Sequence, residues 1–401
     1  MAVSENPTPL TGSGADIARS EQWLAAALDG QVVRWPDPSE RPDVIEAIGD
    51  AALYHGVAGL LADRPEVLRD WPGPLVDRLT HQARAQAMWE LRHREVLTKL
   101  LAALQDHGIP SLLMKGTAVA YDLYANPAAR SRGDSDLLVA ADDLGKCQSV
   151  LAELGFEPGT GDGLAEEFAN QQPWIHTAAD GSTHAIDLHW HVMNAHSLRD
   201  MLPVGECLAQ SRPLPRLSPE ARTMDRVRLL LHTCLHRAMH RNAPYFVGRA
   251  TYFGSDRLIW TYDVHLLSEA LDRDQWSLFC KLAEEKGVAG VCLDGLQKAK
   301  ASLGTRIPDD VLGNLEASSA RDRKISHFVP TRALARAWQD VRAVAGVASK
   351  IRYAGARMVP RAAFLRAKYP DMANYPLPLL YLRRMLAMAR RAGGSSNADA
   401  G

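Results

Sequence analysis

Apolar residues recur at spacings of three and four from Leu75 to His107, and this stretch contains no proline or glycine. This period is typical of a long amphipathic helix. A glycine and a proline follow within three residues of His107 and end the pattern. We predict a helical N-terminal region over residues 21–107, preceded by a disordered segment over residues 1–20.

The pattern changes to short apolar or alternating runs between residues 108 and 200, which predicts four strands. These are Ser111–Met114, Asp134–Ala140, Trp174–Ala178 and His184–Val192. Asp180-Gly181 separates the last two and favours a hairpin turn between them. From about residue 220 the helical period returns.

These patterns predict an α+β fold in which a small mixed β-sheet is embedded in a predominantly helical protein. The sheet would occupy a core domain over residues 108–200. A helical region over 201–320 would cap it and contact substrate. Residues 321–401 would form a basic helical region that ends in a frayed tail.

Composition describes an ordinary globular chain. Of 401 residues, 46% are hydrophobic and 23% are charged. No apolar run approaches the roughly 20 residues of a membrane helix, and the first residues lack the apolar segment of a signal peptide. We expect a cytoplasmic protein without a membrane span. The five cysteines form no C-x-x-C pair, so we expect reduced thiols rather than disulfides or a zinc knuckle.

Charge is distributed unevenly along the chain. Residues 321–401 contain sixteen Lys and Arg against four Asp and Glu, a net charge of +12, although the whole chain has −1. This basic region is either a docking surface for an anionic partner or a set of solvated helix faces packed on an acidic body. The acidic body argues against nucleic acid as the partner.

The sharpest chemical signal is Gly133-Asp134-Ser135-Asp136 at the start of a predicted strand. Residues two apart point to the same face of a strand, so Asp134 and Asp136 would lie side by side. A divalent cation relieves the repulsion between such carboxylates and neutralises phosphate oxygens. The alternative is a pair of turn or helix-cap residues.

Two further segments strengthen the metal-site interpretation. Asp187 and His189 share a face of a later strand, where a third carboxylate could bind metal and act as a general base. His189 is a candidate for the substrate cleft. The alternative is a surface strand with alternating polar residues. Lys115-Gly116-Thr117 stands at a strand-to-helix junction, where backbone N–H groups and a lysine could bind phosphate. The alternative there is a tight turn with an exposed lysine.

Additional cationic and histidine side chains are candidates for the same site. Arg130 and Arg132 precede the aspartates and could either clamp phosphates or balance the acidic charge. His236 and His240 lie one turn apart on a predicted helix. They would either line a substrate cleft or belong to the polar or core face of that helix.

The stretch MKGTAVAYDLYANPAARSRGDSDLLV resembles the signature of the bacterial uncharacterised nucleotidyltransferase family, within the polymerase-beta-like superfamily. Its elements are K-G at a strand end, L-Y-x-x-P, R-x-x-G-D-x-D-L-L-V and a downstream D-L-H-W. A later W-x-x-D helix is also present, and its Asp263 is a further candidate for the substrate cleft. The resemblance extends from about residue 50 to residue 390.

The resemblance implies a nucleotidyltransferase core in which Asp134 and Asp136 bind Mg²⁺ (or Mn²⁺) and Asp187 is the third carboxylate. Gly116 and Thr117 fall where the superfamily holds nucleotide phosphates. The implied reaction moves a nucleoside monophosphate from an NTP donor to an acceptor and releases pyrophosphate. The acceptor would be a small molecule, sugar, peptide or protein.

Two alternatives remain open at this point. The same site could use another phosphate-linked donor, such as a nucleotide sugar, in peptide or glycan tailoring. It could also hold nucleotide without turnover, as a binding protein.

Overall fold

The computed structural model describes residues 14–31, 33, 42–161, 164, 168–241, 245–247, 250–252, 256–322 and 333–392. The frayed tail predicted after residue 392 lies outside the described residues, as does the first part of the predicted disordered segment. Helix α1 begins at Gly14, inside that segment.

The helices of the described residues are α1 (Gly14–Leu28), α2 (Pro42–His55), α3 (Ala58–Ala62), α4 (Pro65–Leu68), α5 (Gly73–Asp106), α6 (Lys115–Leu123), α7 (Leu144–Glu153), α8 (Val204–Ala209), α9 (Arg226–His240), α10 (Leu258–Glu269), α11 (Arg273–Lys286), α12 (Ala289–Leu303), α13 (Asp309–Ser319), α14 (Ala333–Ala343), α15 (Val347–Met358), α16 (Ala362–Lys368) and α17 (Leu377–Ala392). The strands are β1 (Ser111–Met114), β2 (Asp134–Val139), β3 (Phe156–Pro158), β4 (Gln171–Thr177), β5 (Thr183–His189), β6 (Arg212–Pro213), β7 (Arg222–Thr223), β8 (Tyr245–Val247) and β9 (Ala250–Tyr252).

Seven of these strands form one mixed sheet in the order β3-β4-β5-β2-β1-β7-β6. Strands β1 and β7 are parallel, whereas β4 and β5 form an antiparallel hairpin. Gly181 supplies the left-handed backbone of its turn, with φ of +81°. The predicted α+β fold, a small mixed sheet in a predominantly helical protein, is confirmed.

The helical continuation expected after residue 220 was partly wrong. Strand β7 pairs with β1 there, and β8 and β9 form a separate two-stranded hairpin. These strands have two or three residues each. Such short runs give no usable hydrophobic period, so pattern reasoning passes over them.

The chain divides into two compact units. The first contains residues 1–136 and 207–328, and the second contains residues 137–206 and 329–401. The division runs through strand β2.

The first unit is a helical assembly with a buried apolar interior. Helix α5 is 34 residues long, and its two ends carry the fully buried leucines Leu75, Leu79, Leu97, Leu100 and Leu104. Helix α10 is buried on nearly all sides from Leu258 to Val264. A helix that is buried all round belongs in a core, so α10 lies in the core of this unit together with its buried Asp263.

The second unit joins the β4–β5 hairpin segment to the basic C-terminal helices. Asp340 of α14 accepts hydrogen bonds from the backbone N–H and the hydroxyl of Ser197, at 3.0 and 2.5 Å. Tyr353 of α15 is buried against Phe168 and Val344. Helices α14 and α15 are therefore folded onto residues 168–198.

Two expectations about the chain can be compared directly with this fold. Within the described residues, no helix is both long and apolar enough to cross a membrane. None of the five cysteines, all of which lie in the described residues, forms a disulfide; four are buried and Cys280 is partly exposed.

Replacing Tyr353 with alanine should lower the free energy of unfolding by about 3 kcal/mol, because it leaves a cavity in a small aromatic cluster. Tyr375→Ala is the matched control, since Tyr375 is exposed, and it should change stability little. Urea unfolding of both variants checks the prediction. Equal stability of the two would show that α15 does not anchor the second unit.

Candidate active site

Strand β2 presents its two aspartates in different surroundings. Asp134 is exposed at the start of the strand, whereas Asp136 is buried. Desolvation by surrounding protein atoms and the nearby charge of Asp136 raise the pKa of Asp134, against the lowering effects of Lys115 and Arg130. The two carboxylates therefore repel each other, as their spacing predicts.

Lys115 supplies the closest positive charge to this pair. Its Nζ lies 2.5 Å from Asp136 Oδ1, and its side chain is mostly buried. Lys115 also has φ of +49°, the one positive value among the non-glycine residues of the described ranges. A strained backbone at a strand-to-helix junction aims this lysine at the aspartate, which excludes the exposed-lysine alternative.

Asp136, Asp187 and His189 form a group that can hold a metal ion. Each offers one potential ligand atom, and these atoms lie within 4.8 Å of one another. Asp187 and His189 belong to β5, which neighbours β2 in the sheet. Two carboxylates fit the preference of Mg²⁺ and Mn²⁺ for oxygen ligands, and an imidazole is a common additional ligand for transition metals.

The sequence prediction and this group overlap but are not identical. Asp136 and Asp187 come together as expected. His189, which we expected only in the substrate cleft, joins the potential ligands, whereas Asp134 lies outside the group. Metal binding by Asp134 stays a prediction.

Arg130 is engaged by a buried carboxylate. Its Nε and Nη2 donate to the two oxygens of Asp263 at 3.2 and 2.6 Å, and the hydroxyl of Tyr124 donates to Asp263 Oδ1 at 2.7 Å. A Cβ on Gly116 would lie only 2.9 Å from Arg130 Cζ. The glycine therefore makes room for this guanidinium, a role that the sequence did not indicate.

Arg132 also pairs with a buried carboxylate. Its Nη2 lies 2.5 Å from Glu90 Oε1, and its guanidinium stacks over the ring of Tyr121 at 5.6 Å. The hydroxyl of Tyr121 donates to the same Glu90 oxygen at 2.5 Å. Both arginines thus balance acidic residues other than the two aspartates of β2. Phosphate binding by Arg130 or Arg132 stays a prediction.

Thr117 lies in a buried chain of hydrogen bonds. Its hydroxyl is 2.8 Å from the hydroxyl of Ser135, which is 2.7 Å from His93 Nε2. This chain ties α6 and α5 to the middle of the Asp134–Asp136 segment. A phosphate contact by Thr117 stays a prediction, and this placement favours its backbone N–H over its hydroxyl.

His236 and His240 lie close together on α9, with ring centroids 4.5 Å apart. Burial and the charge of Lys115, partly opposed by Asp136, lower the pKa of His240 to about 4. Burial, His240 and Lys115 likewise hold the pKa of His236 well below its usual range. Both imidazoles are therefore neutral near neutral pH and lie within electrostatic reach of Lys115.

A small cavity of about 10 Å³ joins several of these residues. Its lining residues are Lys115, Gly116, Arg130, His232, Thr233, His236 and Asp263. This volume suits about one water molecule. The cavity brings His236 and Asp263 near Lys115, and a role for His189, His236, His240 or Asp263 in binding substrate stays a prediction.

Sequence reasoning missed three residues that support this site: Glu90, His93 and Ser135. Glu90 and His93 are buried polar residues one turn apart on α5, in a stretch whose neighbours are mostly exposed. Polar residues in the middle of a long helix usually face solvent. Only their tertiary partners, Arg132 and Ser135, explain why these two do not.

A sequence profile described as uncharacterised nucleotidyltransferase matches residues 44–304, well over half of the chain. The chain belongs to this family. It is therefore an enzyme, a nucleotidyltransferase that transfers a phosphorus-containing group. The match contains every residue of the candidate site and ends before the C-terminal helices, although the resemblance in the sequence extended to about residue 390. A comparison with curated proteins gave no match.

Replacing Asp263 with alanine should destabilise this nucleotidyltransferase by about 3 kcal/mol, because it leaves the buried Arg130 without its counter-charge. The double variant Arg130→Met, Asp263→Leu should recover most of that loss. Urea unfolding measures both. The control Glu95→Ala removes an exposed ion pair with Lys99 and should leave the midpoint unchanged. A neutral effect of Asp263→Ala would contradict the assignment.

Stability should decrease as the pH falls from about 6.5 towards 4. In this range the unfolded chain protonates His240, whereas burial keeps the folded imidazole neutral; the unfolded state therefore binds more protons and is favoured as the pH falls. His240→Gln should reduce this slope in denaturant unfolding measured across the range. An identical slope in the variant would contradict a buried neutral His240.

Proposed function

We propose that this enzyme transfers a nucleoside monophosphate from an NTP to an acceptor hydroxyl and releases pyrophosphate. The proposal rests mainly on one observation: a buried Asp136 whose carboxylate lies near Asp187 and His189 and is contacted by Lys115. Such a cluster is costly unless a cation and an anionic substrate balance its charge. Family membership supports the choice of a nucleotide as that substrate.

Asp134, Asp136 and Asp187 would hold Mg²⁺ or Mn²⁺. A bound cation would neutralise the negative charge of the triphosphate and the charge that develops on its oxygens during the reaction. The three carboxylates would fix its place on the neighbouring strands β2 and β5. Desolvation and the charge of Asp136 raise the pKa of Asp134. A cation that relieves the repulsion between these carboxylates would therefore be favoured there.

Lys115 would bind the phosphates of the donor. Its ammonium now neutralises Asp136, and a cation at the aspartates would release it towards a phosphate oxygen. The N-terminus of α6, with the backbone N–H groups of Gly116 and Thr117, provides further donors for anionic oxygens. Arg130 and Arg132 would contribute positive potential from behind this helix and, if rearranged, direct contacts.

Asp187 would accept the proton of the attacking hydroxyl. The acceptor oxygen forms a bond to the α-phosphorus, the bond between that phosphorus and the bridging oxygen of the β-phosphate breaks, and pyrophosphate leaves with the electron pair. The proton passes to the Asp187 carboxylate. The neutral imidazoles of His236 and His240 would line the acceptor side without adding positive charge.

The Asp136→Asn variant should lose Mg²⁺-dependent pyrophosphate release by about a thousandfold or more, because one cation ligand and its charge are removed. The assay uses ATP, GTP, CTP and UTP in turn, with cell extract as the source of acceptor. Asp187→Asn should behave similarly. Asp200→Asn is the control, since its side chain is largely exposed, and should keep full activity.

Thermal unfolding followed by circular dichroism establishes that each variant is folded. Full turnover in a folded Asp136→Asn variant would refute the mechanism. Group transfer from a nucleotide sugar, with no pyrophosphate from any NTP, would show that the donor is a nucleotide sugar and not an NTP. Nucleotide binding without any transfer would favour a binding protein.

A further inference from the structure

Helices α14 to α17 expose an unusual number of large apolar side chains. Of the fifteen large hydrophobic residues that are exposed in the described chain, ten lie between residues 333 and 392. Single exposed apolar residues are normal, but a concentration of this kind marks an interaction surface.

On α17 the exposed apolar residues follow one face. Leu379, Leu382, Met385 and Leu386 recur at spacings of three and four, so they form a stripe along the outside of the helix. Leu380 is buried on the opposite side. The helix therefore has an apolar face for its own fold and a second apolar face towards solvent.

Helix α15 repeats this arrangement. Val347, Ile351 and Met358 share an exposed face, and Tyr353 is buried on the other side. The exposed Arg352 follows Ile351 directly and lies about 100° round the helix from it. On α17, the exposed Arg383 follows Leu382 directly and pairs with Asp371.

A groove of about 460 Å³ connects these helices. Trp338 of α14 and Met358 of α15 contribute apolar surface, and Arg357, Lys368 and Arg384 contribute positive charge. None of the lining residues is acidic, although the carboxylate of Asp340 lies 3.9 Å from the guanidinium of Arg357. An anionic group with an apolar body matches such a lining.

The net positive charge of the C-terminal helices favours an anionic partner. Residues 333–392 contain twelve Lys and Arg against two acidic residues, Asp340 and Asp371, a net charge of +10. Two copies of this surface would repel each other. Nucleic acid would leave the aliphatic stripes without a partner, because its backbone offers only anionic and sugar groups.

We propose that the exposed apolar stripes of α15 and α17 dock on an anionic phospholipid surface. The aliphatic stripes would enter the boundary between headgroups and acyl chains, while the flanking arginines extend towards lipid phosphates. The groove would hold one headgroup. This enzyme would then lie on a membrane without spanning it, independently of which donor or acceptor the active site uses.

Vesicle co-sedimentation of the full chain tests the proposal. Vesicles of equal parts phosphatidylcholine and phosphatidylglycerol should bind the protein, vesicles of phosphatidylcholine alone should bind it far less, and added salt should weaken the binding. The variant Ile351→Gln, Leu382→Gln, Met385→Gln removes apolar insertion without changing charge. It should lower partitioning by about tenfold or more.

The matched control is Met88→Gln, Leu91→Gln on α5, since these two side chains are 59% and 72% exposed and lie outside the C-terminal helices. It should bind vesicles like the wild type. All variants replace exposed side chains, and unchanged thermal unfolding confirms their fold. Absence of vesicle binding by the wild type would overturn the proposal, as would equal binding by the triple variant. Capture of an acidic amphipathic peptide in place of vesicles would also overturn it.

Discussion

Crowding of negative charge at the start of β2 is the constraint on which the site depends. Asp136 is buried, and desolvation together with the charge of Asp136 raises the pKa of the neighbouring Asp134. A fold can keep such carboxylates only when positive charge is placed beside them. Lys115, held in an unusual backbone conformation, supplies that charge at 2.5 Å. The site is therefore preorganised for a cation and for the anionic substrate that accompanies it.

The two arginines near the site are neutralised by carboxylates of their own. Arg130 and Arg132 would add uncompensated positive charge to the interior, but Asp263 and Glu90 neutralise them individually. Gly116 is required because the guanidinium of Arg130 occupies the space of its side chain. The ion pair of Arg130 therefore lies directly against the start of α6, next to Lys115.

The sequence predicted the elements of this site better than it predicted their partners. The spacing of Asp134 and Asp136 and the hairpin turn at Gly181 are local features, and local periodicity is sufficient to recognise them. The partners of Arg130 and Arg132 are distant in sequence, and no local rule links Arg130 to a residue more than a hundred positions later. The short strands β7, β8 and β9 were missed because tertiary pairing, rather than a hydrophobic period, defines them.

The role of the C-terminal helices also could not be predicted from the sequence alone. Their basic charge was visible in the sequence, but the two interpretations of it could not be separated without knowing which faces are buried. The structure shows that Tyr353 and Leu380 face inward while Ile351 and Leu382 face outward. The outward face is apolar and flanked by arginine, so solvated packing alone does not account for it.

The most direct test of the central claim is metal binding itself, followed by electron paramagnetic resonance of Mn²⁺ titrated into the protein. The account predicts a bound ion in the wild type and in Asp200→Asn, with binding weakened by about tenfold or more in Asp136→Asn and in Asp187→Asn. Equal Mn²⁺ affinity in all four folded proteins would contradict a metal site built on these aspartates.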